Sequence, residues 1–154
     1  MHRRVNKHPL IVAIVACVLA TIGDAGIVNR GGSTAVVDSI EPVAAPQGLA
    51  VDVGLMAFST TSQGAMQGSP TELGMNVSDP AGYVIAAHTL NTELVVTLRI
   101  TGKPGRYIVP GLNVHYHVGD SSHTLFVAEA LAICYPLSDW KGRCTAPVPN
   151  TATD

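Results

Sequence analysis

Polar and apolar residues alternate along most of this chain. Val51, Val53, Leu55 and Ala57 alternate with Asp52, Gly54 and Met56, and Leu73, Met75 and Val77 with Glu72, Gly74, Asn76 and Ser78. Leu94, Val96, Leu98 and Ile100 alternate mainly with Glu93, Thr97, Arg99 and Thr101, and Leu112, Val114, Tyr116 and Val118 with Asn113, His115 and His117. A period of two places apolar side chains on one face of a sheet and polar ones on the other, so each run predicts a half-buried strand. Tyr83 to Ala87 and Thr124 to Val127 predict two more. Turn signals separate the runs: Asp79-Pro80, Lys103-Pro104-Gly105, Pro110-Gly111 and Gly119-Asp120-Ser121-Ser122.

Residues 112–128 form the clearest hairpin. With Val118 opposite His123, Tyr116 faces Leu125 and Val114 faces Val127, which gathers the large aliphatic residues on one face. Ala128 to Ile133 (AEALAI) also admits one or two helical turns. The pattern predicts an all-β chain, an antiparallel β-sandwich of about seven strands with an immunoglobulin-like topology. The Cys-Trp-Cys spacing of a true immunoglobulin domain is missing, because Trp140 sits late, in a Ser-Asp-Trp-Lys-Gly loop.

The N-terminus follows a different pattern. Residues 2–8 carry three fixed positive charges and no acid, and Leu10 to Ile22 (LIVAIVACVLATI) is apolar apart from Thr21. Small residues follow. This is the layout of a secretory signal, preceding the sandwich as a hydrophobic export helix. Gly23 and Ala25 suit a cut after residue 25, and Ala20 a cut after residue 20. A retained membrane anchor is the second reading, although a thirteen-residue helix reaches only ~20 Å of a ~30 Å hydrocarbon core. The third is lipidation at Cys17, within Ile14-Val15-Ala16-Cys17. Each reading delivers the rest of the chain across a membrane. Residues 1–25 are then signal peptide or anchor, 26–49 a linker with room for one strand at Val36-Val37, 50–144 the β-sandwich domain, and 145–154 a disordered Thr- and Pro-rich tail.

Charge narrows the set of partners. The chain carries a net −2, and beyond residue 25 six basic and ten acidic side chains leave −4. That balance gives no basic patch for nucleic acid. A membrane partner would act through the N-terminal segment, if uncleaved, and other partners would be an envelope protein or a glycan.

Cys134 and Cys144 stand ten positions apart around Pro136, Ser138, Asp139 and Gly142. In an exported chain this spacing predicts a disulfide closing a C-terminal loop. Tyr135, Trp140, Lys141 and Arg143 on or beside that loop are the candidate contact residues. A redox pair would favour Cys-x-x-Cys.

His115, His117 and His123 are the candidate metal ligands, with His88 and Asp120 as additions. His-x-His on a strand puts both rings on one face. The hairpin register opposes the trio, since it sends His123 to the aliphatic face. Met56, Met66, Met75 and His88 are too irregularly spaced for a copper carrier, and no His or Met follows Cys134 as a blue-copper site requires. No Gly-x-Ser-x-Gly, His-Glu-x-x-His or phosphate-binding glycine loop is present, so no catalytic residue and no cofactor is expected. Asn76-Val77-Ser78 is a formal glycosylation sequon. The expected function is an extracytoplasmic, non-catalytic binding or structural role in the cell envelope. Copper or zinc handling through His115 and His117 is the alternative.

Overall fold

The computed structural model describes residues 10–12, 19–57, 64–128, 130–136 and 144. Eleven strands run through them: β1 (Leu10–Val12), β2 (Leu19–Asn29), β3 (Ala35–Pro42), β4 (Leu49–Ala57), β5 (Gly64–Gln67), β6 (Val84–Ile85), β7 (Thr89–Ile100), β8 (Gly105–Val109), β9 (Leu112–Val118), β10 (Ser121–Val127) and β11 (Leu131–Tyr135). They form three sheets, ordered β1-β11-β8, β10-β9-β3-β6 and β4-β7-β2-β5. All pairings are antiparallel except that of β1 with β11.

One apolar core joins the sheets. Leu55, Leu94 and Leu98 come from the β4–β7 side, Val37, Leu112 and Val114 from β3 and β9, and Leu131 and Ile133 from β11. Leu55, Leu94, Leu98, Leu112 and Val114 are alternating positions of the sequence, as burial of one sheet face requires. The fold is therefore all-β and sandwich-like.

Several elements differ from expectation. Among the described residues there is no helix, and the described parts of Leu10–Ile22 are strands. The reason lies in composition. An apolar run rich in Ile and Val suits a fully buried strand as well as a membrane-seeking helix, and periodicity cannot separate the two. β2 takes an inner place between β7 and β5. No described helix is long and apolar enough to cross a membrane.

The expected 26–49 linker is mostly structure. The end of β2 and all of β3 fall within it, with Ile27, Ala35 and Val37 buried. Even Gly31-Gly32-Ser33 is organised, because Asn29 Nδ2 donates to Ser33 O (2.9 Å) and Ile85 O (3.1 Å) and Asn29 Oδ1 accepts from Gly31 N (3.0 Å). The tail at 145–154 lies outside the described residues.

The strand expected over 72–78 is a capped turn instead. Ser69 N donates to Glu72 Oε2 (2.8 Å) and Glu72 N to Ser69 Oγ (3.2 Å), the reciprocal pairing of a Ser-x-x-Glu capping box. Only Ser78 reaches the sheet, bridging Leu55. The helical alternative at Ala128–Ile133 gives way to β11, whose two faces differ in size. Leu131 and Ile133 enter the main core, while Ala132 and Cys134 pack in a second cluster with Ala130 and Cys144.

The β9–β10 hairpin forms with a shifted register. Ser121 pairs with Val118, so His123 faces Tyr116 and Leu125 faces Val114. The loop shrinks to Gly119-Asp120, with Gly119 at φ 57°, the positive value that the first position of a tight hairpin turn takes. The slide is by two residues, and a slide by two keeps every side chain on its expected face.

Candidate functional site

The polar face of the β3–β9–β10 surface gathers the most chemistry among the described residues. Alternation on β9 puts His115 and His117 on one face, opposite Thr124 and Ser122 of β10. On the other flank, β3 follows β9 with a register shift between Val37 and Ser39. Asp38 is the extra residue there, and a bulge of this kind re-aims a side chain. His117 Nδ1–H donates to Asp38 Oδ1 at 2.7 Å. His115 Nδ1 lies 3.0 Å from Thr124 Oγ1, and its Nε2 is 3.7 Å from Glu41 Oε2.

These pairs are open to water. The His117 and Asp38 side chains are 38% and 45% exposed. Solvent screens such a pair, so each contributes only ~0–1 kcal/mol to stability. What the pairs do well is orient: a carboxylate on one ring nitrogen fixes the tautomer and aims the other. His-carboxylate pairs on an open sheet face can hold a polar partner.

The histidine trio does not assemble. His123 lies on the opposite face, its ring stacked on Tyr116 with centroids 5.2 Å apart and planes 25° off parallel. His88 sits in the loop before β7 in a left-handed conformation (φ 59°). Asp120 occupies the exposed hairpin turn. Among the described residues, no group of three or more His, Cys, Asp or Glu converges as a metal site would. Met56 and Met75 are half-buried, and Asn76 is exposed.

The disulfide joins Cys134 to Cys144, with Cα atoms 5.9 Å apart. Both cysteines are buried beside Ala130, Ala132 and Ile108. Buried cysteines paired in this way are structural rather than reactive. Tyr135 differs from expectation, since it is partly buried against the core instead of standing free at the loop. Trp140, Lys141, Arg143 and the candidate lipidation residue Cys17 lie outside the described residues, as does the side chain of Met66.

Sequence reasoning missed Asp38 and Glu41, which it left in the linker. The one available signal was Ala35, Val37 and Ile40, an alternation interrupted where the bulge adds a residue. The 79 positions between Asp38 and His117 leave no linear trace of their contact. No protein-family model, curated protein or solved structure matches the chain.

Proposed function

We propose that this is an exported, extracytoplasmic β protein with a non-catalytic binding or structural role in the cell envelope. The observation that carries the reading is the buried Cys134–Cys144 disulfide. Such bridges form and persist in oxidising compartments and are rare where glutathione keeps thiols reduced. The basic start followed by the apolar run from Leu10 supports the same route, as a signal or an anchor. An immunoglobulin-like arrangement of the sandwich is part of this proposal and rests on strand spacing alone. An envelope protein or a glycan is the partner class, and the polar β3–β9–β10 face is the surface offered to it.

β2 bears on where a peptidase can cut. A cut after Ala25 would take most of β2 away from β7, whereas processing at or before Cys17 leaves Leu19–Asn29 whole. Copper or zinc handling through His115 and His117 is the competing reading. Both rings share a face, but each already holds a hydroxyl or a carboxylate.

The test is fractionation of cells making the full chain, with the mass of the recovered protein read before and after reduction. Recovery outside the cytoplasm, with no free thiol at Cys134 or Cys144, is expected. Cytoplasmic recovery with both thiols free would overturn the proposal. A stoichiometric metal that a chelator removes, and that His117→Ala abolishes, would favour the competing reading.

A further inference from the structure

The edge of a strand leaves a row of backbone donors and acceptors open. Folded proteins normally protect such rows by charge, proline, a bulge, brevity or cover. β11 has no protection of its own. Its sequence, LAICY, contains no charged residue and no proline, and it pairs with β8 over its full length without a register shift. It relies on cover, and its cover is β1. Leu10, Ile11 and Val12 pair in parallel with Leu131, Ala132 and Ile133 at the end of the β1-β11-β8 sheet. β1 is three residues long and uncharged, and residues 13–18 tie it to β2.

We propose that β1 is a removable cap, and that the β11 edge beneath it is a docking site for an extended, uncharged aliphatic segment of a partner protein that enters parallel to β11. The strand that now holds the site gives the chemistry of its occupant. The ladder itself is made by backbone N–H and C=O groups, evenly spaced along a parallel pair. Leu-Ile-Val is an apolar run with strong preference for the extended conformation. Leu131, Ala132 and Ile133 are 3%, 0% and 0% exposed, and β11 offers no counter-charge. A charged segment laid there would lose water and gain no partner.

Removal follows from where β2 begins. This step alone rests on the reading of the chain as exported, which needs a cut that spares β2. Any cut between Val12 and Leu19 takes β1 away and leaves Leu19–Asn29 whole. Before the cut, a short tether holds β1 beside β11 at an effective concentration on the order of millimolar, so a dilute competitor is kept out. After it, the β11 edge is open to a partner strand. Export and docking are thereby coupled, because the segment that routes the chain also blocks its edge.

Native-state hydrogen exchange of the full chain tests the cap. The β11 amides that face β1 should be protected, and in mild denaturant they should open before those of β7. Absent protection, or opening that keeps pace with β7, overturns the proposal. Ile11→Pro removes a backbone donor from β1. It should lower the protection of the same β11 amides at least about tenfold while β7 stays protected. A synthetic peptide of residues 8–14, at ~1 mM to match the tether, should restore that protection, and the same peptide with Ile11→Pro should not. Protection unchanged in the variant or lost at β7 as well, or restoration by neither peptide or by both, overturns the docking site. These measurements do not depend on the compartment in which the chain works. The mass of the chain recovered from cells reads the release separately: loss of Leu10–Val12 is expected, and a recovered chain that keeps them overturns it.

Discussion

Gly54 has no room for a methyl group. A Cβ there would stand far inside van der Waals contact with Val77 Cγ1 and 3.2 Å from Ser78 O. The glycine lets Ser78 approach Leu55 and close part of the β4 edge. Gly54→Ala should therefore destabilise by about 1–3 kcal/mol, as overpacking does, read as a lower urea midpoint at unchanged slope. Gly119 is held by conformation rather than space, since nothing lies near its added Cβ but its φ is positive. Gly119→Val should cost about 1–2 kcal/mol in the same measurement. His117 and Asp38 make the opposite case. Their hydrogen bond is short, yet both side chains meet solvent. A double-mutant cycle with His117→Ala and Asp38→Ala should return a coupling below ~1 kcal/mol. A coupling of several kcal/mol would mean that the face is shielded by a partner.

At the scale of elements, β2 and β11 each pair with a strand far away in the chain. β2 lies along β7 from the Leu19–Arg99 pair to the Asn29–Thr89 pair, and β5 pairs with its other side. A chain beginning at Gly26 should melt below one beginning at Leu19, because it leaves β5 without a partner and opens one side of β7. Equal melting temperatures would place residues 19–25 outside the folded unit. β11 is closed by the bridge at Cys134. Replacing both cysteines by Ala should cost about 2–3 kcal/mol by releasing the loop in the unfolded chain. Near-ultraviolet circular dichroism should show the rest of the core intact.

Across the whole molecule, the apolar positions from all three sheets converge on one core, with Leu55, Leu94 and Leu98 fully buried. Strands β4, β7 and β9 were legible because each puts alternate apolar residues on that core, although β7 also buries Glu93 and Val95 on its other face. Of β3 only the strand at Val36-Val37 was legible, because the bulge at Asp38 breaks the alternation where the His117 contact is made. β11 was not, because small residues on its second face read as helix formers. The run over 72–78 does alternate in exposure, with Leu73, Met75 and Val77 half-buried, but local hydrogen bonding by Ser69 and Glu72 takes its start into a turn. Of the candidate site, His115 and His117 and their shared face were legible, since face depends only on parity along β9. Their carboxylates were not, since those arrive through a strand far away in the chain.

The sequence by itself determined the β class, the main alternating core, the opposition of His123 to His115 and His117, and the pairing of the two C-terminal cysteines. All follow from local spacing: period two assigns faces, and ten positions suffice to close a loop. Only the tertiary structure decided that the apolar segment after Leu19 serves as an inner strand, that the Asp38 and Glu41 carboxylates meet the β9 histidines, and that β10 stands at an open edge. Those outcomes depend on which strand lies beside which. Strand neighbours are chosen by burial summed over the whole core, a quantity that no single stretch of the chain contains.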